Sequence, residues 1–198
     1  PEIPGIDKEG VWTAIDFLKK GRTEKENFYP GENVIVVGGG DVAVDCAVTA
    51  KLLGAKNVHI VYRRTIEEAP ANMTEFRYAL SLGIGMTTNM APAEVLGSKK
   101  VEGMAFNGRD GVSGLKLKAD AVVFAIGQKP EDMTEIAGVK VTEKGRIKAT
   151  ASGKTNLAKV FAADDIVNGG DTAVEAVKEG KDAADSIIAY LTKKEGVK

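Results

Sequence analysis

Asn33-Val34-Ile35-Val36-Val37 runs directly into three glycines, Gly38-Gly39-Gly40. A short β-branched run of that kind offers no polar face to water, so it belongs inside a sheet covered on both sides, as parallel strands are. Residues 41–53 then take helical spacing through Val42, Ala43, Cys46, Ala47, Ala50 and Leu53 and stop at Gly54. A second buried strand, Val58 to Tyr62, follows at once. Strand, glycine turn, helix and strand within about thirty residues form a βαβ unit, and the class that follows is α/β and Rossmann-like.

The remaining segments are arranged around that unit. Val11, Trp12, Ile15, Phe17 and Leu18 stand at helical spacing before Lys19-Lys20-Gly21, which predicts one amphipathic helix and then a polar connector over residues 21–32. Pro70 opens a further helix through Met73, Phe76, Leu80 and Leu82, ending near Gly83. Residues 85–118 hold short β-like pieces, Glu94–Leu96, Val101–Phe106 and Leu115–Leu117, in a pattern that suits an antiparallel β-meander. Ala121 to Ile126 reads as a buried strand that stops at Gly127, and Val160–Ala163 as another that leads to Asp164-Asp165. The last helix is expected from about Thr172 to Leu191, with Ala173, Ala176, Val177, Gly180, Ala184, Ile187 and Leu191 on one face.

Composition removes several kinds of chemistry. With 27 Lys+Arg against 28 Asp+Glu among 198 residues, the formal charge is -1. No broad cationic field draws in nucleic acid or an anionic membrane. One Cys makes no internal disulfide, CxxC pair or four-thiolate cluster, and one His argues against a His-built metal centre. No apolar stretch approaches the roughly 20 residues of a membrane span, and no basic-then-apolar leader opens the chain. The expectation is a soluble, cytoplasmic protein. A first residue of Pro1 instead of Met suggests part of a larger one.

Gly38-Gly39-Gly40-Asp41-Val42-Ala43 fits GxGxxA between strand and helix. In a dinucleotide site Gly38 makes the tight turn, Gly40 lets a pyrophosphate approach the backbone, and small Ala43 allows close helix–strand packing. N–H groups at the start of the helix then face the phosphates. The competing reading is a purely structural glycine turn. An NAD site places Asp or Glu at the end of the second strand for the ribose 2′-hydroxyl, whereas Arg63-Arg64 stands there in this chain. Two guanidinium groups suit a 2′-phosphate, which favours NADPH over NADH. An exposed basic pair is the plain alternative. The missing strand-end acid also argues against a methyltransferase. Cys46 reads as a small core residue, His59 as structural and Glu67-Glu68 as solvated or helix-favouring. No residue is assigned an acid–base role, because in hydride transfer the cofactor supplies the chemistry.

Taken together, five stretches resemble the pyridine-nucleotide-dependent flavoprotein oxidoreductases, in particular the small (β) subunit of glutamate synthase and its relatives. They are Ile3-Pro4-Gly5-Ile6-Asp7 with Gly10-Val11 and Ala14–Leu18; Gly38–Ala43 with Asp45-Cys46-Ala47; Val61–Thr65 with Glu67–Ala71; Ala119-Asp120 with Ala125–Pro130; and Val160-Phe161-Ala162 with Asp165–Gly169, Thr172, Val174–Val177 and Glu179-Gly180. The resemblance implies a crossover helix and linker over 1–30, an NADPH-binding domain over 31–130 and the second segment of a split FAD domain over 131–198. It implies NADPH across Gly38–Ala43 and Arg63-Arg64, nicotinamide near Gly127 and Gln128, and a flavin contacted by Asp165 and Thr172. Hydride would pass from NADPH to FAD and electrons onward to a partner such as the glutamate synthase large subunit.

The same resemblance marks what the chain lacks. Only one glycine-rich nucleotide turn is present, so the earlier half that holds the flavin's ADP portion is missing. The N-terminal iron–sulfur cysteines are missing as well. The absence of CxxC argues against the thioredoxin reductase branch. Ala163-Asp164 stands where the family has two glycines, and Asp171 stands at the start of the last helix, where it reads as an ordinary N-cap. Two rival expectations remain: an NADP(H)-binding module with no catalytic activity in isolation, and a scaffold that has lost both cofactors.

Overall fold

A computed structural model describes residues 2–127, 138–170 and 172–195. The contacts divide the chain into two compact units, 1–127 and 128–198.

In the first unit, β2 (Asn33–Val37), β3 (Asn57–Val61), β4 (Gly85–Thr87) and β8 (Ala121–Phe124) are joined by β1 (Val11–Thr13) in one sheet of order β1-β8-β2-β3-β4. Every pairing in it is parallel. Helices α1 (Ala14–Thr23), α2 (Asp41–Leu52) and α3 (Met73–Ser81) cover one face, and the antiparallel sheet β5 (Met90–Leu96), β6 (Gly103–Gly108), β7 (Gly114–Lys118) covers the other. Side chains alternate across a strand, so Val34 and Val36 of β2 pack with the helices while Ile35 and Val37 pack with the meander. β8 divides in the same way, Ala121 and Val123 to one layer and Val122 and Phe124 to the other. That double burial explains why both strands read as unbroken apolar runs. On the helical side Phe17, Trp12 and Phe28 meet edge to face, with ring centroids 5.2 to 6.3 Å apart. α2 lies close because its buried residues are small apart from Val44: Ala43, Cys46, Ala47 and Ala50.

Several boundaries differ from the sequence expectation. Val11 and Trp12 are not helical; they extend along β8, with Val11 opposite Val122 and Trp12 opposite Val123. The helix starts at Ala14 because the Thr13 hydroxyl accepts the Asp16 N–H at 3.2 Å and donates to its carboxylate at 2.7 Å. α3 starts at Met73, not Pro70, with the Asn72 side chain capping the Thr74 N–H. Val42, counted among the apolar positions at helical spacing in α2, is exposed.

The second unit contains a short 3-10 helix (Asp164–Ile166), α4 (Ala173–Glu195) and two isolated antiparallel bridges, Val141 with Ile147 and Lys154 with Phe161. Val160–Ala163 makes no strand beyond the second bridge. The inner face of α4 is also not the apolar stripe read from the sequence. Ala183 and Ser186 are buried, whereas Val174, Val177, Ile187, Ile188 and Leu191 are exposed. Polar bonds and one tight contact fix that rotation. Glu179 accepts the Asp164 N–H at 2.6 Å and the Asn168 side-chain amide at 3.0 Å, and a Cβ on Gly153 would stand 2.8 Å from the Ala183 methyl.

Two outcomes follow from this packing. Burial, and secondarily the Asp45 charge, push the Cys46 thiol up to about 12, so near pH 8 a thiol reagent should leave the native chain unmodified and label it fully in denaturant. Rapid labelling of the native chain would contradict the buried position. A Cβ on Gly38 would run into the Ala125 carbonyl oxygen and stand 3.1 Å from the Ala43 methyl. Gly38→Ala should therefore destabilise the chain by roughly 1–3 kcal/mol in denaturant unfolding.

Candidate functional site

The C-terminal ends of β2, β3 and β8 lie side by side, since Val37 is opposite both Val61 and Phe124. The loops beyond these ends therefore share one edge of the sheet. Chain order reverses at β2, with β3 on one side and the much later β8 on the other. Such a switch point opens a crevice at the carboxyl ends of parallel strands, where α/β sheets receive ligands.

The glycine turn occupies that edge, and its glycines serve different ends. Gly38 donates its N–H to the Val61 carbonyl at 3.1 Å and lies against Ala125, so its missing side chain lets three segments meet. Gly39 is pressed under Tyr62, whose ring would be 2.5 Å from a Cβ placed there. Gly40 differs. It is the N-cap of α2, it provides no side-chain cap, and a Cβ there would meet only Pro70 Cγ at an ordinary 3.6 Å. The fold itself does not require glycine at this position. The N–H groups of Gly39, Gly40, Asp41 and Val42 have no acceptor among the described residues. Unsatisfied N–H groups at a helix start form a ready anion site.

Asp41 places a carboxylate at that helix start, but it is already engaged: its Oδ1 accepts the Asn72 N–H at 2.6 Å. The Ala71 N–H donates to the Gly39 carbonyl at 3.2 Å. These two bonds hold residues 70–72 against the glycine turn and out of α3, which accounts for the late start of that helix. Ala43 is fully buried against the sheet, whereas Val42 is exposed beside the turn.

Arg63 and Arg64 follow Tyr62 at the end of β3. Both are exposed, and neither makes an ion pair among the described residues. The structure thus brings the free N–H groups and the unpaired arginines to one sheet edge. Gly127 lies exposed beyond β8 with φ 98°, and Gln128 lies outside the described residues. In the second unit Asp165 is exposed, and the Thr172 hydroxyl accepts the Glu175 N–H at 3.2 Å as the cap of α4. Asp171, expected as the cap, lies outside the described residues.

Other polar groups have plainer roles. His59 Nε2 is bonded to the Thr87 hydroxyl at 2.8 Å across β3 and β4, and burial lowers its pKa. Burial, and then the nearby Asp41 carboxylate, raise that of Asp45. Glu68 is exposed, as its solvated reading expects, and its carboxylate also pairs with Arg109 at 2.7 Å and accepts the Thr65 N–H at 3.1 Å. Sequence gave no sign of that partner, which stands 41 residues away. Among the described residues no cluster of His, Cys, Asp and Glu could hold a metal ion, and no helix is long and apolar enough to cross a membrane.

Comparison with known proteins agrees with this geometry. The chain is 35% identical to the glutamate synthase [NADPH] small chain of Halomonas elongata, over 96% of its own length and 46% of the relative's. It is also 35% identical to the NAD-dependent dihydropyrimidine dehydrogenase subunit PreT of Escherichia coli (strain K12), over 96% and 44%. The chain thus spans about half the length of these curated relatives. In fold it is similar to thioredoxin reductase from Lactococcus lactis, with a TM-score of 0.81 at 22% identity over 97% of this chain and 62% of that one. FprA from Mycobacterium tuberculosis in complex with NADPH gives 0.72 at 19% identity over 98% and 62%. The pyridine nucleotide-disulphide oxidoreductase family matches residues 1–180, and the chain, with its parallel sheet, meander and glycine turn, belongs to that family.

Proposed function

We propose that residues 31–130 form an NADPH-binding domain and residues 131–198 the second segment of an FAD-binding domain, within an oxidoreductase that takes hydride from NADPH and sends electrons to a partner. The observation that carries the reading is Gly40, a glycine that the fold does not need, set at a helix start whose N–H groups have no acceptor among the described residues. A bound pyrophosphate would meet those groups at Gly39, Gly40, Asp41 and Val42. The backbone can approach it closely because Gly40 carries no side chain. Ala43 supports the turn by letting α2 settle on the sheet.

Arg63 and Arg64 supply the charge for a ribose 2′-phosphate. Guanidinium groups without carboxylate partners among the described residues can pair with a phosphate at no cost in those ion pairs. The names of the relatives leave the choice open, since one is an NADPH enzyme and another NAD-dependent. The arginine pair supports the first. Gly127, at the end of the strand beside the glycine turn, together with Gln128, is proposed to border the nicotinamide. NADPH supplies a hydride when bound; the residues described here bind and orient it.

Asp165 and Thr172 are proposed as flavin contacts in a complete enzyme, and the exposed apolar residues of α4 support a further domain packing there. By itself the segment does not fit the flavin's diphosphate. Asp164 sits at φ 62°, a backbone state suited to glycine, and its Oδ1 is buried without a partner among the described residues. A carboxylate oxygen in that situation repels an anion. FAD binding by this chain alone is thus incomplete, and in isolation it acts as a binding module. A glutamate synthase large subunit is the partner class that the relatives suggest.

Three measurements test this. Gly40→Ala should leave the unfolding midpoint unchanged and weaken NADPH binding about tenfold or more, because a methyl then occupies the phosphate approach. Combined Arg63→Ala and Arg64→Ala should abolish any preference for NADPH over NADH while NADH affinity is kept; an unchanged preference would refute the 2′-phosphate assignment. Mixed with FAD and desalted, the chain should remain colourless while still binding NADPH. A retained flavin band that bleaches with NADPH would show a competent reductase and overturn the incomplete-site reading.

A further inference from the structure

Two arginines can select a phosphate only if the loop carrying them keeps its shape while their charges stay unpaired. The bonds to Gly39 and Asp41 hold that loop from the side of the glycine turn, and a second set holds it from the side of the meander. The Tyr62 carbonyl accepts the Met90 N–H at 3.0 Å, and the Arg64 carbonyl accepts the Asn89 N–H at 2.9 Å. The Tyr62 hydroxyl donates to the Glu68 carbonyl at 3.1 Å. Glu68 Oε2 accepts both the Thr65 N–H at 3.1 Å and Arg109 Nη1 at 2.7 Å, which closes the turn from Thr65 to Glu68.

Arg109 reaches across from a fixed position. Its N–H donates to the Asn89 carbonyl at 2.8 Å, so one residue, Asn89, is bonded to both Arg64 and Arg109. The β6–β7 connection beside it is closed by Asp110, whose carboxylate accepts the N–H groups of Val112 at 3.0 Å and Ser113 at 2.8 Å. An acid, a base and a shared asparagine thus join the meander to the loop, while the side chains of Arg63 and Arg64 take no part.

We propose that Glu68 and Arg109 are positioning residues for nucleotide choice: their ion pair fixes the Thr65–Glu68 turn so that Arg63 and Arg64 are presented to the 2′-phosphate of NADPH. The inference rests on the reading of this edge as an NADPH site. The side chains of Arg109 and Glu68 are 57% and 40% exposed, and exposed pairs add little to stability. A merely structural role therefore predicts no change in either nucleotide's affinity, whereas a positioning role changes only one of them.

Calorimetric titration with NADPH and with NADH distinguishes these, using wild type, Glu68→Gln, Arg109→Ala and the double variant. Glu68→Gln keeps an acceptor for the Thr65 N–H and removes the charge that holds Arg109. Each single variant should bind NADPH about fivefold more weakly with NADH affinity within about twofold, and the double variant should be no worse than the weaker single one, as for groups acting as a unit. Unchanged NADPH affinity in either single variant, or equal loss of both nucleotides, would overturn the inference. A wild-type chain without NADPH preference would instead overturn the reading beneath it, and the proposal with it.

Discussion

The start of α2 is the constraint on which this edge of the sheet depends. The helix begins four residues after a strand buried on both faces, so its first N–H groups cannot turn back to the sheet, whose acceptors at that end are taken. The Val37 carbonyl already receives the Ala125 N–H at 2.8 Å, and the Val61 carbonyl receives Gly38. An acid at the first helical position is the usual protein answer to such a terminus. Asp41 is that acid, yet its carboxylate is bonded to Asn72, and no side chain caps Gly40. The four N–H groups are left without an acceptor among the described residues.

The rest of the first unit builds outward from that point. Small residues on α2 bring the helix onto the sheet, and Gly38 lets β8 approach the turn. Tyr62 covers Gly39 and in doing so fixes where Arg63 begins. The meander contributes to the edge as well as to the core: Met104 and Phe106 fill the space under Ile35 and Val37, while Arg109, just beyond β6, reaches the arginine loop. One face of the parallel sheet is thus closed by helices for packing, and the other by a second sheet that also touches the site.

Much of this was legible in the sequence where local pattern and burial coincide. β2 and β8 read correctly because double burial leaves an unbroken apolar run, β3 because only His59 interrupts its apolar residues, and the position of Arg63-Arg64 followed from the length of the βαβ unit. The misreadings have physical causes. β1 is too short to show a period of its own, and its apolar residues blend into those of α1; only the Thr13–Asp16 pair marks the boundary. In α4 the apolar stripe did not choose the inner face, because hydrogen bonds to Glu179 and the close contact at Gly153 outweighed it. Glu68 and Arg109 could not be paired from sequence, since what joins them is the register of β5 and β6 against the end of β3.

The claim that matters most is that the N–H groups at the start of α2 receive the phosphates of a 2′-phosphorylated dinucleotide. Amide resonances of a nitrogen-15-labelled chain, followed through titrations with NADPH and NADH, test it directly. The account predicts the largest shifts at Gly39, Gly40, Asp41 and Val42 with both nucleotides, further shifts at Arg63 and Arg64 with NADPH alone, and saturation at lower NADPH than NADH. Amides of the glycine turn that stay unmoved, or titrations indistinguishable between the two nucleotides, would contradict it.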